Sequence, residues 1–295
     1  MSSVDRAKFP YRLLYTGIGP LDDMLCGMVA IYLELTDIPD AFNFLHYCFA
    51  SFFPISVIYS IEALRPGVSK AVSLSNVFLL IGKFSSVGVI SLIYWVFYIS
   101  GGNLKNRHES SLATVGWNQV AAVIFAVVVG NVVPSRTMLY LQMPRVVAFW
   151  HFFPAYVALA QYLYGKAFPP SKRVKSGLPL IRFLYISSFI YSALVHILAV
   201  WPKVMTAGWS KSFALPLLNP ASVSTSVMFV LHNFLKWDLT FATCSFALGS
   251  LWFARTDREL LGFVLWYAIA VPTVGIGAAV TGVFMYDDAV ISGSK

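Results

Sequence analysis

The chain is a succession of apolar stretches separated by short polar connections, and that pattern leaves few architectures open to it. Eight apolar windows run Leu21 to Leu35, Ala41 to Leu64, Val72 to Tyr98, Trp117 to Val133, Val146 to Tyr164, Leu178 to Val200, Val223 to Phe253 and Leu260 to Met285. A helix needs roughly 20 apolar residues to cross a hydrocarbon core of about 30 Å. In lipid the backbone must also satisfy its own hydrogen bonds, which helices do within one segment. The expected fold class is therefore all-α: a polytopic transmembrane bundle of about 8 helices. It forms a single domain over 1–295, with a short lead-in over 1–17 and a polar tail over 287–295. The composition agrees, since 58% of residues are hydrophobic, only 12% are charged and mean hydropathy is +0.72. Soluble domains do not reach that balance.

The opening residues lack the continuous apolar core and small-residue cleavage site of a secretory signal, so the first membrane helix is expected from Leu21. Most prolines and paired glycines fall between windows; Pro54, Pro154 and Pro272 fall inside them and should kink their helices. The connections are too short for a soluble domain, which leaves chemistry to the bundle. A net charge of +8 is spread through loops, as with Lys172, Arg173 and Lys175. It suits lipid headgroups and offers no clustered surface for nucleic acid. Cations fall in near-equal number on the two sides of eight spans and do not orient the chain. Cys26, Cys48 and Cys244 lie in apolar windows and read as small buried hydrophobes.

Ionisable residues inside apolar windows are few and need reasons. Asp238 sits near the middle of the seventh, where a charged carboxylate costs about 3 kcal/mol on insertion scales. Helical spacing places Leu231, Phe234, Phe241, Ala242 and Ser245 on its face, while Lys236 and Asn233 point elsewhere. Aromatic surroundings would favour the neutral acid and keep a proton available. A protonated Asp bonded to a neighbouring helix for packing is the plainer reading. Glu62 closes the second window beside Tyr59, and an i,i+3 pair with Arg65 would explain both charges without catalysis. In an eight-span topology Glu62 and Asp238 would border one cavity. Asp22 and Asp23 follow Pro20, where capping of the first helix accounts for them, and Glu34 continues their stripe. Lys83 would snorkel from a tilted third helix. His151, His196 and His232 show no ligand spacing, and no GxSxG elbow or glycine-rich phosphate loop is present. Aromatic residues within windows, among them Trp95, Trp117, Trp150, Phe152, Phe153 and Trp237, belong to interfacial belts or to a cavity that holds a cation on ring faces.

The segments YSIEALRPG around Glu62 and LHNFLKWDLTFATC around Asp238, together with the opening YTGIGPLDDMLCGMVAIYLELTD, resemble the fungal integral-membrane terpene cyclases of meroterpenoid pathways. The likeness extends to pyripyropene and andrastin-type cyclases and to ascochlorin and ascofuranone-type relatives. It implies an enzyme that cyclises the terpenoid arm of a prenylated (farnesyl) aromatic or polyketide bearing a terminal epoxide. Such an enzyme needs no cofactor or metal, since no diphosphate leaves. Asp238 or Glu62 would donate the proton. The substrate would be bound by Asp22, Asp23, Glu34, Tyr59, Trp117, Phe234, Trp237 and Phe241. The partners implied are a lipophilic prenylated aromatic epoxide and membrane lipids, with no nucleic acid, and the expected membrane is the endoplasmic reticulum. Read from their residues alone, the same acids also suit proton relays in a small-molecule transporter, a lipid-binding membrane protein or a sterol-isomerase-like enzyme.

Overall fold

A computed structural model describes residues 11, 13–109, 115–169, 175–207, 216 and 227–293. Lys172, Arg173 and the start of the seventh window lie outside these. Among the described residues the fold is all-α without strands. In chain order the helices are α1 (Gly19–Thr36), α2 (Pro39–Glu62), α3 (Lys70–Ser73), α4 (Ser75–Phe84), α5 (Val87–Ser100) and α6 (Asn103–Glu109). There follow α7 (Trp117–Leu141), α8 (Pro144–Trp150), α9 (Phe153–Ala167), α10 (Leu178–Ala199) and α11 (Trp201–Ala207). The chain closes with α12 (Val227–Leu251), α13 (Asp257–Val274) and α14 (Ile276–Gly293).

The eight windows do not become eight straight spans. Among the described residues three helices are long and apolar enough to cross a membrane: α2, α7 and the run Leu178–Thr206. A fourth is counted if α8 and α9, bent by 61° at the break, form one span. Charge keeps other windows out of that set: α1 carries Asp22, Asp23 and Glu34, and α12 carries Lys236 and Asp238. The third and eighth windows, read as single helices, are each divided. At Ser85–Ser86 the helix stops and restarts, with Ser86 capping α5 by accepting the Val89 N–H. At Gly275, φ is +87°, a conformation that glycine adopts freely, and α14 folds back against α13. The Trp266 indole N–H then donates to the Ala279 carbonyl across this hairpin at 2.8 Å. The expected polar tail is corrected too: α14 continues to Gly293, and Asp287 and Asp288 are buried within it.

Helix α2 is the axis of the bundle, with 78% of its apolar window buried, against 39% for α7 and for Leu178–Thr206. It packs on α10, α14, α12 and α7, while the outer helices turn one face outward. The closest pair is α5 with α12. Two glycines permit that approach. A Cβ on Gly88 would lie 2.8 Å from the Phe241 Cβ and 2.9 Å from the Asp238 carbonyl, and one on Gly249 would overlap the Trp95 ring. Small residues at a helix crossing are the usual device where lipid supplies no hydrophobic drive. Around Trp95 the rings of Tyr59, Tyr94, Phe246, Phe253 and Phe284 form a buried aromatic core.

Gly249→Val should therefore destabilise the fold by about 1–3 kcal/mol, the usual range for overpacking. Gly262→Ala, where a Cβ meets open space, should be neutral or slightly stabilising. Thermal unfolding of the purified protein in detergent distinguishes the two.

Candidate active site

The bundle holds a partly open cavity of about 320 Å³ lined from α1, α2, α4, α5, α7, α8, α9, α10 and α12. That size falls among small-molecule sites. Its walls are largely aromatic: Tyr32, Phe49, Phe52, Phe53, Trp150, Phe153 and Tyr191. Helix α7 supplies a polar strip through a π-helical turn at Val128–Val132, an irregularity often found at functional sites. Gly130 in that turn lets the α9 backbone at Tyr156 and Val157 come close. Asn131 then donates to the Ser56 hydroxyl at 3.2 Å and accepts from the Ser135 hydroxyl at 3.1 Å. The Trp150 indole N–H donates to Ser135 at 2.9 Å and completes the chain.

Asp238 is the one carboxylate in the cavity lining. Its partners come from the break in the third window. Oδ1 accepts the Ser86 hydroxyl at 2.5 Å and the Gly88 N–H at 2.8 Å, and Oδ2 accepts the Val87 N–H at 3.3 Å. The acid therefore closes the N-terminus of α5, where free N–H groups and the helix dipole favour negative charge. The expected setting among the rings of Phe234 and Phe241 is corrected at this point. Ala242 and Ser245 share its buried side, whereas Phe234 and Phe241 turn outward, 50% and 58% exposed. The close α5 contact at Gly88 admits only the small side chains, so the rings are set to the flanks. Trp237 stacks on Phe241, with ring centroids 5.3 Å apart.

Glu62 is not in the cavity lining, so the two acids expected to border one cavity are separated. The last α2 residue of the cavity wall is Ser56, and Glu62 lies about 9 Å further along the helix axis. There Glu62 joins a buried ion cluster. The i,i+3 pair with Arg65 forms through two contacts, at 2.9 and 3.1 Å, and the Tyr98 hydroxyl donates at 2.6 Å. Arg107 from α6 adds a further bond to Glu62. It also reaches Asp287 at 2.6 Å and Asp288 at 3.1 Å, with its guanidinium over the rings of Phe253 and Phe284. Arg65 meets Asp288 at 2.8 Å, and Arg255 meets Asp287 at 2.6 Å. Three arginines face these three buried acids, and Arg255 also pairs with Glu259 at 3.5 Å. Sequence reasoning missed Arg107, Asp287 and Asp288, although helical spacing held a signal. Asp288 follows Phe284 and Thr281, and Asp287 follows Val283 and Val280, at i−4 and i−7, and all four are buried.

The remaining candidates are dispersed. Tyr59 is buried in the aromatic core, donating to Ser91 at 3.3 Å, and Trp117 stands under the Lys175 ammonium, 4.6 Å from the ring centroid. Asp22 is buried and accepts from the Thr16 N–H and hydroxyl, both at 2.7 Å, and from the Gly17 N–H at 3.1 Å, which fastens the lead-in to α1. Asp23 is exposed, and Glu34, also exposed, accepts from Tyr11 at 3.2 Å. None of these five is in the cavity lining. Lys83 is. In place of snorkelling from a long helix it ends α4 and turns into the cavity, Nζ standing 3.5 Å from the Trp150 ring centroid.

The fold and cavity define a protein that is all-α among the described residues, with several helices able to cross a membrane and a largely apolar site. The family model of the CtvD domain matches residues 2–291, and the chain belongs to that family, which is of the fungal meroterpenoid and terpene cyclase type. No curated protein and no solved structure matches the chain.

Asp238→Ala should lower stability by about 1–2 kcal/mol through loss of the α5 cap, and Asp238→Asn, which keeps one acceptor oxygen, by less. Amide hydrogen exchange at Gly88 should accelerate in the alanine variant. Unchanged exchange there would show that the carboxylate does not hold the helix start.

Proposed function

We propose that the protein is a membrane-bound terpene cyclase. It would open the terminal epoxide of a prenylated (farnesyl) aromatic or polyketide and cyclise the terpenoid arm, in an endoplasmic-reticulum membrane. The observation that carries this reading is a single carboxylate on the wall of an apolar, ring-lined cavity. Membership of the CtvD family supports the terpenoid direction.

The reaction's demands match the residues in order. Epoxide opening begins with a proton, and Asp238 would give it from Oδ2, the oxygen engaged only by the long Val87 contact. The Ser86 hydroxyl and the Gly88 and Val87 N–H groups already stand where negative charge remains on the carboxylate, so no reorganisation is needed. As the C–O bond breaks, its electron pair goes to the oxygen, which becomes a hydroxyl, and the carbon is left cationic. The next double bond closes on that carbon. Ring faces of Phe49, Phe52, Phe53 and Tyr191 would stabilise the travelling charge by about 1–2 kcal/mol each, and the apolar arm of the substrate would displace water that could intercept it. Loss of a proton from carbon ends the cascade, so the product is an isomer of the substrate. Glu62 would act on this chemistry only by holding the bundle together, since its oxygens are engaged by Arg65, Arg107 and Tyr98.

Purified protein in nanodiscs, given a farnesyl phenol with a terminal epoxide, should yield a cyclised isomer of unchanged mass. Asp238→Asn should remain folded and lose about 100-fold or more in turnover, the range for removal of a general acid. Glu62→Gln should lose activity only in step with folded protein. Uptake of the compound without conversion would point to a transporter or lipid carrier and end the cyclase reading.

A further inference from the structure

The mechanism leaves Lys83 unused. Among the described residues its ammonium makes no hydrogen bond and no ion pair, although it is only partly accessible and faces the cavity. Its neighbours are rings: Nζ lies 3.5 Å from the Trp150 centroid, 5.5 Å from Tyr32 and 5.7 Å from Phe153. Ring faces attract a cation, but they do not replace the hydration that an ammonium loses on leaving water. A counter-charge is wanted, and the cavity does not hold one to spare. Asp238, the one acid in the lining, has its oxygens committed to Ser86, Val87 and Gly88. The lining carries the basic side chains of Lys83 and Arg136, besides His46, against the single acid Asp238. Arg136 is exposed at the edge of the cavity and bonds the Tyr191 hydroxyl at 2.7 Å.

We propose that Lys83 receives the ionised oxygen of an amphiphilic ligand, a carboxylate or phenolate carried on an aromatic ring. The acidic head lies against Lys83 and Trp150, and the apolar arm folds within the ring-lined remainder of the cavity. This deepens the cyclase reading, on which it rests for the arm's reactivity, by assigning the head group. Binding of the head itself needs no turnover and is tested apart from it.

The test uses two ligands without an epoxide, a farnesyl-hydroxybenzoic acid and its methyl ester, titrated into the protein in zwitterionic nanodiscs. The acid should bind at least about 10-fold more tightly than the ester, as expected for a hydrogen bond between charged groups. Lys83→Met should abolish the preference, and Lys83→Arg should retain it. Trp150 fluorescence should respond to the acid in the wild type, and Trp150→Phe should remove that signal. Equal binding of acid and ester by the wild type, or a preference that survives in folded Lys83→Met, overturns the assignment. Lys83-dependent binding of the acid with no cyclisation of epoxide substrates would sink the cyclase reading alone. Cyclisation without any acid preference would sink the Lys83 assignment alone.

Discussion

A broken helix in an apolar setting has to find partners for its free N–H groups, and the arrangement of this bundle turns on how that is done at Ser86–Gly88. Asp238 supplies the acceptors, with hydrogen bonds at 2.5, 2.8 and 3.3 Å. Neither partner is stable in apolar surroundings by itself: the carboxylate lacks solvation and the amides lack acceptors. Joined, they fix the register of α5 on α12, and the glycines at 88 and 249 let the helices close around that contact. The same junction brings an acid to the cavity wall and ends α4 just after Lys83.

Polar groups are divided between the two ends of the α2 axis. Toward its beginning and middle, the cavity holds Asp238, Lys83 and the Asn131–Ser135 strip among aromatic walls. At its end, Glu62, Arg65, Arg107, Arg255, Asp287 and Asp288 neutralise one another. The clamp joins the ends of α2 and α14 to α6 and to the turn after α12. Buried pairs of this kind stabilise little against an apolar alternative, yet breaking one is costly because a charge is left without its partner. A rigid clamp at one end and a polar-tipped cavity at the other suit a site whose shape must persist while a reactive cation moves through it.

Much of the fold was legible. Apolar windows predicted an all-α bundle, and the second, fourth and sixth correspond to the three long apolar helices. The pair of Glu62 with Arg65 was among the readings that spacing offered, whereas Arg107, expected among the loop cations, is buried. The division of the third window was not legible. Ser85 and Ser86 are compatible with an apolar helix, and only the presence of Asp238 on another helix makes a break there favourable. The aromatic face drawn around Asp238 failed for a related reason: positions at i−4 and i+3 span a wide arc, and the contact at Gly88 decided which part of that arc is buried.

Composition and periodicity by themselves determined the class of protein and named both unusual acids, because burial costs make apolar windows and isolated charges visible in a linear chain. Tertiary structure alone decided what those acids touch. Glu62 went to arginines and Asp238 to a helix start, since each partner is far away in sequence and is selected by distance and hydrogen-bond geometry. Lys83 likewise became a cavity residue only when Trp150, Tyr32 and Phe153 converged on it from three other helices.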